Sequence, residues 1–159
     1  MQFLYISLAI YIVFSVPTII LEIYRLRAPL IFALAAILTL LAWYLYSFDF
    51  VFTPLFKSFA SGAIVSLVIS LFAYFFSADK ISVSHVFFAV LTGFLTGFPL
   101  CLAALGSAAV LFVIFYLIFS FTRKKTYGDA LIIKHRFTVP ITPFIMLGTV
   151  LIFFFILNP

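Results

Sequence analysis

Long apolar runs alternate with short polar breaks along the whole chain. A helix needs about 20 predominantly apolar residues to cross a bilayer. Four runs have roughly this length, and a further stretch without any charge is long enough for two helices. The predicted spans are Phe3–Leu21, Pro29–Tyr46, Ser58–Phe76, about Ser84–Gly97, about Leu100–Thr122 and Val139–Leu157. A tight turn at Gly97-Phe98-Pro99 separates the fourth span from the fifth.

The composition fits a protein whose solvent is lipid. Hydrophobic residues make up 67% of the 159 residues and charged residues only 8%, which is more apolar surface than a soluble domain of this size can bury. We therefore predict an all-α polytopic membrane protein, with a bundle of six transmembrane helices forming one domain over residues 1–159. The stretch Asp49–Lys57 is broken by Pro54 and too short to cross, so it is interpreted as an interfacial or re-entrant connection.

The basic residues are distributed unequally between the two ends of the predicted helices. The breaks after the first, third and fifth spans hold all of them except Lys57. They are Arg25, Arg27, Lys80, Arg123, Lys124, Lys125, Lys134 and Arg136. The positive-inside rule then places the loops near residues 22–28, 77–84 and 123–138 in the cytoplasm and both termini outside, in the cytoplasmic (inner) membrane. The net charge of +5 indicates anionic lipid, rather than nucleic acid, as the partner.

Few side chains in this sequence could take part in catalysis or bind a proton or a metal. The acids are Glu22, Asp49, Asp79 and Asp129, and the histidines are His85 and His135. Glu22 ends an apolar run, so it is either a boundary carboxylate paired with Arg25 or a functional group. Two points argue against the boundary alternative: an anion at a helix C-terminus is destabilised by the macrodipole, and intramembrane acids are site candidates. The single cysteine, Cys101, excludes an internal disulfide and a cysteine-rich metal cluster, and no metal or cofactor is expected.

Three further features each have a purely structural alternative. His85 opens the fourth span either as a site residue or as an interfacial histidine beside a serine N-cap. Gly93 and Gly97 lie four residues apart, a spacing that lets a neighbouring helix approach closely. The prolines Pro140 and Pro143 are typical of a proline-rich helix start.

Three segments, taken in order, resemble the type IV prepilin peptidase family, which includes the preflagellin peptidases. In that family a catalytic aspartate ends the first core span, and a proline follows seven residues later. Here Glu22 is followed seven residues later by Pro29, with Arg25 and Arg27 between them. Basic residues are also frequent at these intervening positions in the family.

The second and third patterns of the family match in register. The second is Gly-x-Gly-Asp-x-Lys, with glycines eight and twelve residues after the aspartate. In this chain Gly93 and Gly97 follow His85 by eight and twelve residues, which aligns residues 82–87 with the pattern. The third is Ile-Pro-Phe-Gly-Pro-Phe with a later glycine. The matching residues are Val139, Pro140, Ile141, Thr142, Pro143, Phe144 and Gly148.

The resemblance implies a membrane-embedded aspartic endopeptidase, in which two carboxylates hold a water between them at the cytoplasmic face. The chain departs from the family at the catalytic positions and at the motif residues next to them. Glu22 and His85 stand at the two aspartate positions, Phe87 stands at the lysine, and Ser82 and Ser84 replace the glycines. Asp79, six residues before His85, is a possible substitute carboxylate.

These departures leave three functions open. We expect a divergent relative that acts on or binds the leader segments of pilin-like precursors, or pilus-assembly proteins, with impaired or absent proteolysis. The reason is that a histidine cannot share one proton with Glu22 as two like carboxylates do. The alternative is an active leader peptidase that uses Glu22 with His85 or Asp79. The third is a small transporter with Glu22 as its proton-coupled site. The oligomeric state stays open.

Overall fold

The computed structural model describes residues 2–25, 29–47, 54–76, 81–127 and 140–157, and this part of the chain is helical without any strand. Its six helices are α1 (Gln2–Arg25), α2 (Leu30–Ser47), α3 (Pro54–Phe76), α4 (Val83–Thr96), α5 (Leu100–Tyr127) and α6 (Thr142–Leu157). The predicted all-α class and the six helices are confirmed.

Two predicted boundaries are wrong. Residues 54–57 belong to α3, so they are not part of a separate interfacial or re-entrant connection. Pro54 opens this helix instead of breaking it, because the first helical residue needs no hydrogen-bonded N–H. The sixth helix begins at Thr142 rather than at Val139, which lies outside the described residues.

Four of the helices have the length and apolarity of membrane spans: Phe3–Tyr24, Leu30–Ser47, Phe56–Phe76 and Leu100–Phe121. With 14 and 16 residues, α4 and α6 are apolar but shorter. At 1.5 Å per residue they measure about 21 and 24 Å, less than the roughly 30 Å of a bilayer's hydrocarbon core. The described part of the chain is therefore that of an all-helical membrane protein, with four long helices and two short ones.

The short helix α4 forms the centre of the bundle. Ten of its 14 residues are buried, and it contacts each of the other five helices. Its side chains Phe88, Leu91 and Leu95 form a core with Tyr11 of α1 and Phe153 of α6. Because α4 is enclosed, its few polar side chains must find partners within the protein.

Glycines allow α4 to contact the backbone of α3. A Cβ atom added at Gly93 would lie 2.3 Å from the carbonyl oxygen of Gly62, and one added at Gly62 would lie 2.3 Å from the carbonyl oxygen of Gly93. Gly97 ends α4 with a φ of +70°, and its N–H donates to the oxygen of Gly93. The sequence-based expectations of a close helix approach at Gly93 and Gly97 and of a tight turn after α4 are thus confirmed.

A second close contact joins α5 and α6. A Cβ atom added at Gly148 would lie 2.4 Å from the carbonyl oxygen of Ala104 and 2.9 Å from the nitrogen of Ala108. Near the beginning of α6, Phe144 packs against Phe112 and Phe115, with ring centroids 5.5 and 5.4 Å apart. These contacts fix the position of α6 along the axis of α5.

Candidate functional site

The inward face of α1 is polar. Its five buried side chains lie four, four, three and four positions apart, which places them along one side of a helix. They are Ser7, Tyr11, Ser15, Thr18 and Glu22. Lipid-facing positions of the same helix, such as Val13 and Ile23, are apolar and exposed. This pattern directs the carboxylate of Glu22 into the bundle.

Glu22 lies in direct contact with His85. The Nε2 atom of His85 is 2.6 Å from Oε1 of Glu22, and the two residues are only 6% and 2% exposed. The interaction joins the end of α1 to the first turn of α4. The two positions that the resemblance assigns to catalytic carboxylates are therefore in contact.

Ser82 determines which nitrogen of the His85 ring carries the proton. It is the N-cap residue of α4, and its backbone N–H donates to Nδ1 of His85 at 2.9 Å. A nitrogen that accepts this hydrogen bond has no hydrogen of its own, so the proton of a neutral imidazole is on Nε2. His85 consequently donates to Glu22 and accepts from Ser82. The serine N-cap expected beside His85 is Ser82, whereas Ser84 lies inside the helix and is buried.

The beginning of α6 supplies two more donors to the same carboxylate. The N–H of Ile141 donates to Oε1 of Glu22 at 2.8 Å, and the N–H of Thr142 donates to Oε2 at 3.1 Å. The first N–H groups of a helix have no partner within the helix, and the positive end of its dipole favours an anion. Glu22 thus caps α6 while it binds His85 of α4.

The proline-rich segment produces this geometry. Pro140 precedes Ile141, and Pro143 lies in the first turn of α6, where the missing N–H of a proline costs no helical hydrogen bond. Phe144 is then held by its ring contacts with α5. The segment predicted as a helix start does begin a helix, and it presents two backbone donors to Glu22.

Of the other predicted site residues, some lie within helices or next to their ends, and others fall outside the described part of the chain. Pro29 directly precedes α2, and Phe87 packs against the core around α4. The possible substitute carboxylate Asp79 and the side chain of Arg25, the predicted ion-pair partner of Glu22, fall outside the described residues. Cys101 is a buried free cysteine.

The site is recessed into the apolar layer. Phe144, in the first turn of α6, lies beside Phe112 and Phe115, whereas the apolar run of α5 continues to Phe121. The six residues from Phe115 to Phe121 correspond to about 9 Å along the axis of α5. Phe144 therefore lies about 9 Å below the end of the apolar run of α5, and Glu22 lies two residues before the end of the apolar run of α1 at Tyr24.

A second buried polar cluster joins the same three helices and was missed by the sequence reasoning. The hydroxyl of Tyr11 is 3.2 Å from both Thr92 Oγ1 and Thr149 Oγ1, and the two threonine oxygens are 2.9 Å apart. Thr149 also donates to the carbonyl oxygen of Ile145. The polar residues of α1 at helical spacing were the available signal for this cluster.

An apolar cavity of about 270 Å³ adjoins His85. It lies between α3, α4, α5 and α6. Its lining residues are Ile69, Ser70, Ala73, Ile81, His85, Ala89, Leu105, Ala108, Ala109, Phe112, Val113, Ile141, Phe144 and Ile145. No group of three histidine, cysteine, aspartate or glutamate side chains that could hold a metal occurs within the described ranges.

Comparisons with protein-family models, curated proteins and solved structures gave no match for this chain. The resemblance to prepilin peptidases consequently rests on the residues of the three motifs.

Proposed function

We propose that the protein is a membrane-embedded, prepilin-peptidase-like protein that binds the leader segments of pilin-like precursors at the cytoplasmic face of the inner membrane, without cutting them. The observation that carries the second half of this proposal is the engagement of Glu22. Its carboxylate accepts hydrogen bonds from His85, Ile141 and Thr142. We interpret this carboxylate, which is held by three donors of its own protein, as a structural anion.

Aspartic proteolysis needs a different arrangement of protons. Two carboxylates share one proton, so that one can accept a proton from water while the other donates. In this site His85 contributes a donor in place of the second carboxylate. The pair therefore lacks the symmetric acid–base function that the resemblance implies for two aspartates.

His85 is also unsuited to act as a base in this conformation. A general base must have a lone pair within reach of the proton that it accepts. Nε2 of His85 donates to Glu22, and the lone pair of Nδ1 accepts from the N–H of Ser82. Both ring nitrogens are thus engaged by the protein.

The motif spacing supports the binding half of the proposal. Glu22 with Pro29, His85 with Gly93 and Gly97, and the segment around Pro143 follow the order of the family's motifs. A protein that kept this framework while exchanging its two carboxylates would retain the shape of a leader site and lose the hydrolytic step.

An active leader peptidase is the second candidate, and the 2.6 Å contact between His85 and Glu22 is the observation in its favour. Release of Nδ1 from Ser82 would leave an imidazole oriented by a buried carboxylate, which is a known way to prepare a base. That mechanism differs from the one implied by two aspartates.

Co-expression with a type IV prepilin from the same genome distinguishes the two functions. The proposal predicts that the precursor keeps its full length and co-purifies with the protein. Mature pilin that appears with the wild-type chain, and disappears with Glu22→Gln and with His85→Ala, would establish the peptidase instead. A full-length precursor that does not co-purify would contradict the binding function. Thr39→Val, on an exposed position of α2, is the matched control.

A further inference from the structure

The cavity beside His85 presents an apolar surface. Only two of its lining residues are polar, and the hydrogen-bonding groups of both are engaged. Ser70 Oγ donates to the carbonyl oxygen of Leu67 at 3.1 Å, and the two nitrogens of His85 are bound by Glu22 and Ser82. A polar ligand would lose its hydrogen bonds to water without replacement. The chemistry of the lining therefore selects a hydrocarbon.

The cavity is large enough to hold such a group. Apolar protein cavities of about 150 Å³ stay dry and bind benzene, and this one measures about 270 Å³. Small side chains create the space, since Ala73, Ala89, Ala108 and Ala109 contribute to its wall. An elongated apolar group larger than one aromatic ring would fit.

The mouth of the cavity opens sideways between α3 and α5. The lining residues Ile69 of α3 and Val113 of α5 are 41% and 52% exposed. By contrast, Ala89, Ala108 and Ile145 line the interior and are 3%, 5% and 7% exposed. Both rim residues belong to membrane-spanning stretches, Phe56–Phe76 and Leu100–Phe121. The cavity is consequently open to the hydrocarbon of the bilayer.

We propose that the cavity is a binding site for one acyl chain of an anionic phospholipid. The acyl chain enters between α3 and α5 and fills the space beside His85. The sequence supplies the complementary charge, because Arg123, Lys124 and Lys125 directly follow the apolar run of α5. Basic residues at a membrane surface attract anionic lipid headgroups. The cavity shares His85, Ile141 and Phe144 with the candidate functional site, but the proposed lipid binding does not rest on the proposed binding of leader segments.

Photolabelling in vesicles tests this site. The full chain is reconstituted into phosphatidylcholine vesicles that contain phosphatidylglycerol with a photoreactive diazirine in the middle of one acyl chain. After irradiation, the adducts are assigned to residues by mass spectrometry. The proposal predicts adducts on Ala89, Ala108 and Ile145, which surrounding lipid does not reach because these residues are buried. Adducts confined to exposed residues such as Val110 and Leu117 would overturn it.

Two variants that fill the cavity from its mouth provide the second arm. Ala109→Phe on α5 and Ala73→Phe on α3 both alter exposed lining positions, where a larger side chain does not collide with the core. Each should abolish the labelling of Ala89 and Ile145, whereas Ala103→Phe, on an exposed position of α5 outside the lining, should preserve it. Unchanged labelling in both filling variants would overturn the proposal. Equal labelling by neutral phosphatidylcholine carrying the same diazirine would overturn the anionic headgroup preference.

Discussion

His85 donates its Nε2 proton to Glu22 at 2.6 Å, across 63 positions of the chain. The same carboxylate receives the first two N–H groups at the beginning of α6. One acid therefore holds the ends of three helices together inside the apolar layer. In lipid no water competes for these donors, so each must be satisfied by the protein.

The protonation of the His85 ring is the first testable consequence. Because Nδ1 accepts from the N–H of Ser82, we predict a neutral imidazole with its proton on Nε2. Nitrogen-15 NMR of the histidine-labelled protein checks this, with His135→Gln removing the only other histidine signal. A proton on Nδ1 would contradict the described hydrogen bonds.

The glycine contact between α3 and α4 predicts that one added methyl group on α4 destabilises the folded protein. A Cβ atom at Gly93 would lie 2.3 Å from the backbone oxygen of Gly62, so the helices must move apart. Gly93→Ala should lower the free energy of unfolding by about 1–3 kcal/mol. Unfolding in mixed detergent micelles measures it.

Gly106 on α5 is the matched control, because an added Cβ atom meets nothing within 4 Å there. Gly106→Ala should leave the free energy of unfolding unchanged or raise it by up to about 1 kcal/mol, through helix propensity. Equal effects of the two alanines would contradict the close contact.

Removing one hydroxyl group from the cluster around Tyr11 should lower the free energy of unfolding by a smaller amount. Tyr11→Phe removes the two contacts of the phenol, but Thr92 and Thr149 stay within 2.9 Å of each other. Interhelical hydrogen bonds of this kind contribute about 0.6–2 kcal/mol in membranes, so we expect a loss of about 1 kcal/mol in the free energy of unfolding. Tyr5→Phe, on the exposed side of α1, should have no effect; a loss as large as that of Tyr11→Phe would show that the buried cluster is not the cause.

The sequence predicted the four long helices well because their apolar runs match the thickness of a bilayer. It failed at Pro54, since a proline can either break a helix or begin one, and the pattern does not distinguish these cases. The shortness of α4 and α6 was partly visible, because Gly97 limits α4, whereas the beginning of α6 depends on Glu22 accepting the N–H groups of Ile141 and Thr142.

The site was predicted in part. Motif spacing singled out Glu22 and His85, but their contact and the role of Ser82 depend on the tertiary arrangement of α1 and α4. The capping of α6 by Glu22 joins residues about 120 positions apart, and no local pattern indicates such a distant pair. The cavity depends on four helices and was likewise outside the reach of the sequence.

The central claim is that Glu22 and His85 act together as a structural clamp. A double-mutant cycle with Glu22→Met and His85→Phe tests it through the free energy of unfolding. Removing the buried carboxylate leaves three neutral donors unpaired, and since each unpaired buried donor costs about 1–3 kcal/mol, Glu22→Met should lower the free energy of unfolding by about 3 kcal/mol or more. The clamp predicts a coupling energy between the two substitutions of about 1–3 kcal/mol, whereas effects that add within about 0.5 kcal/mol would contradict it.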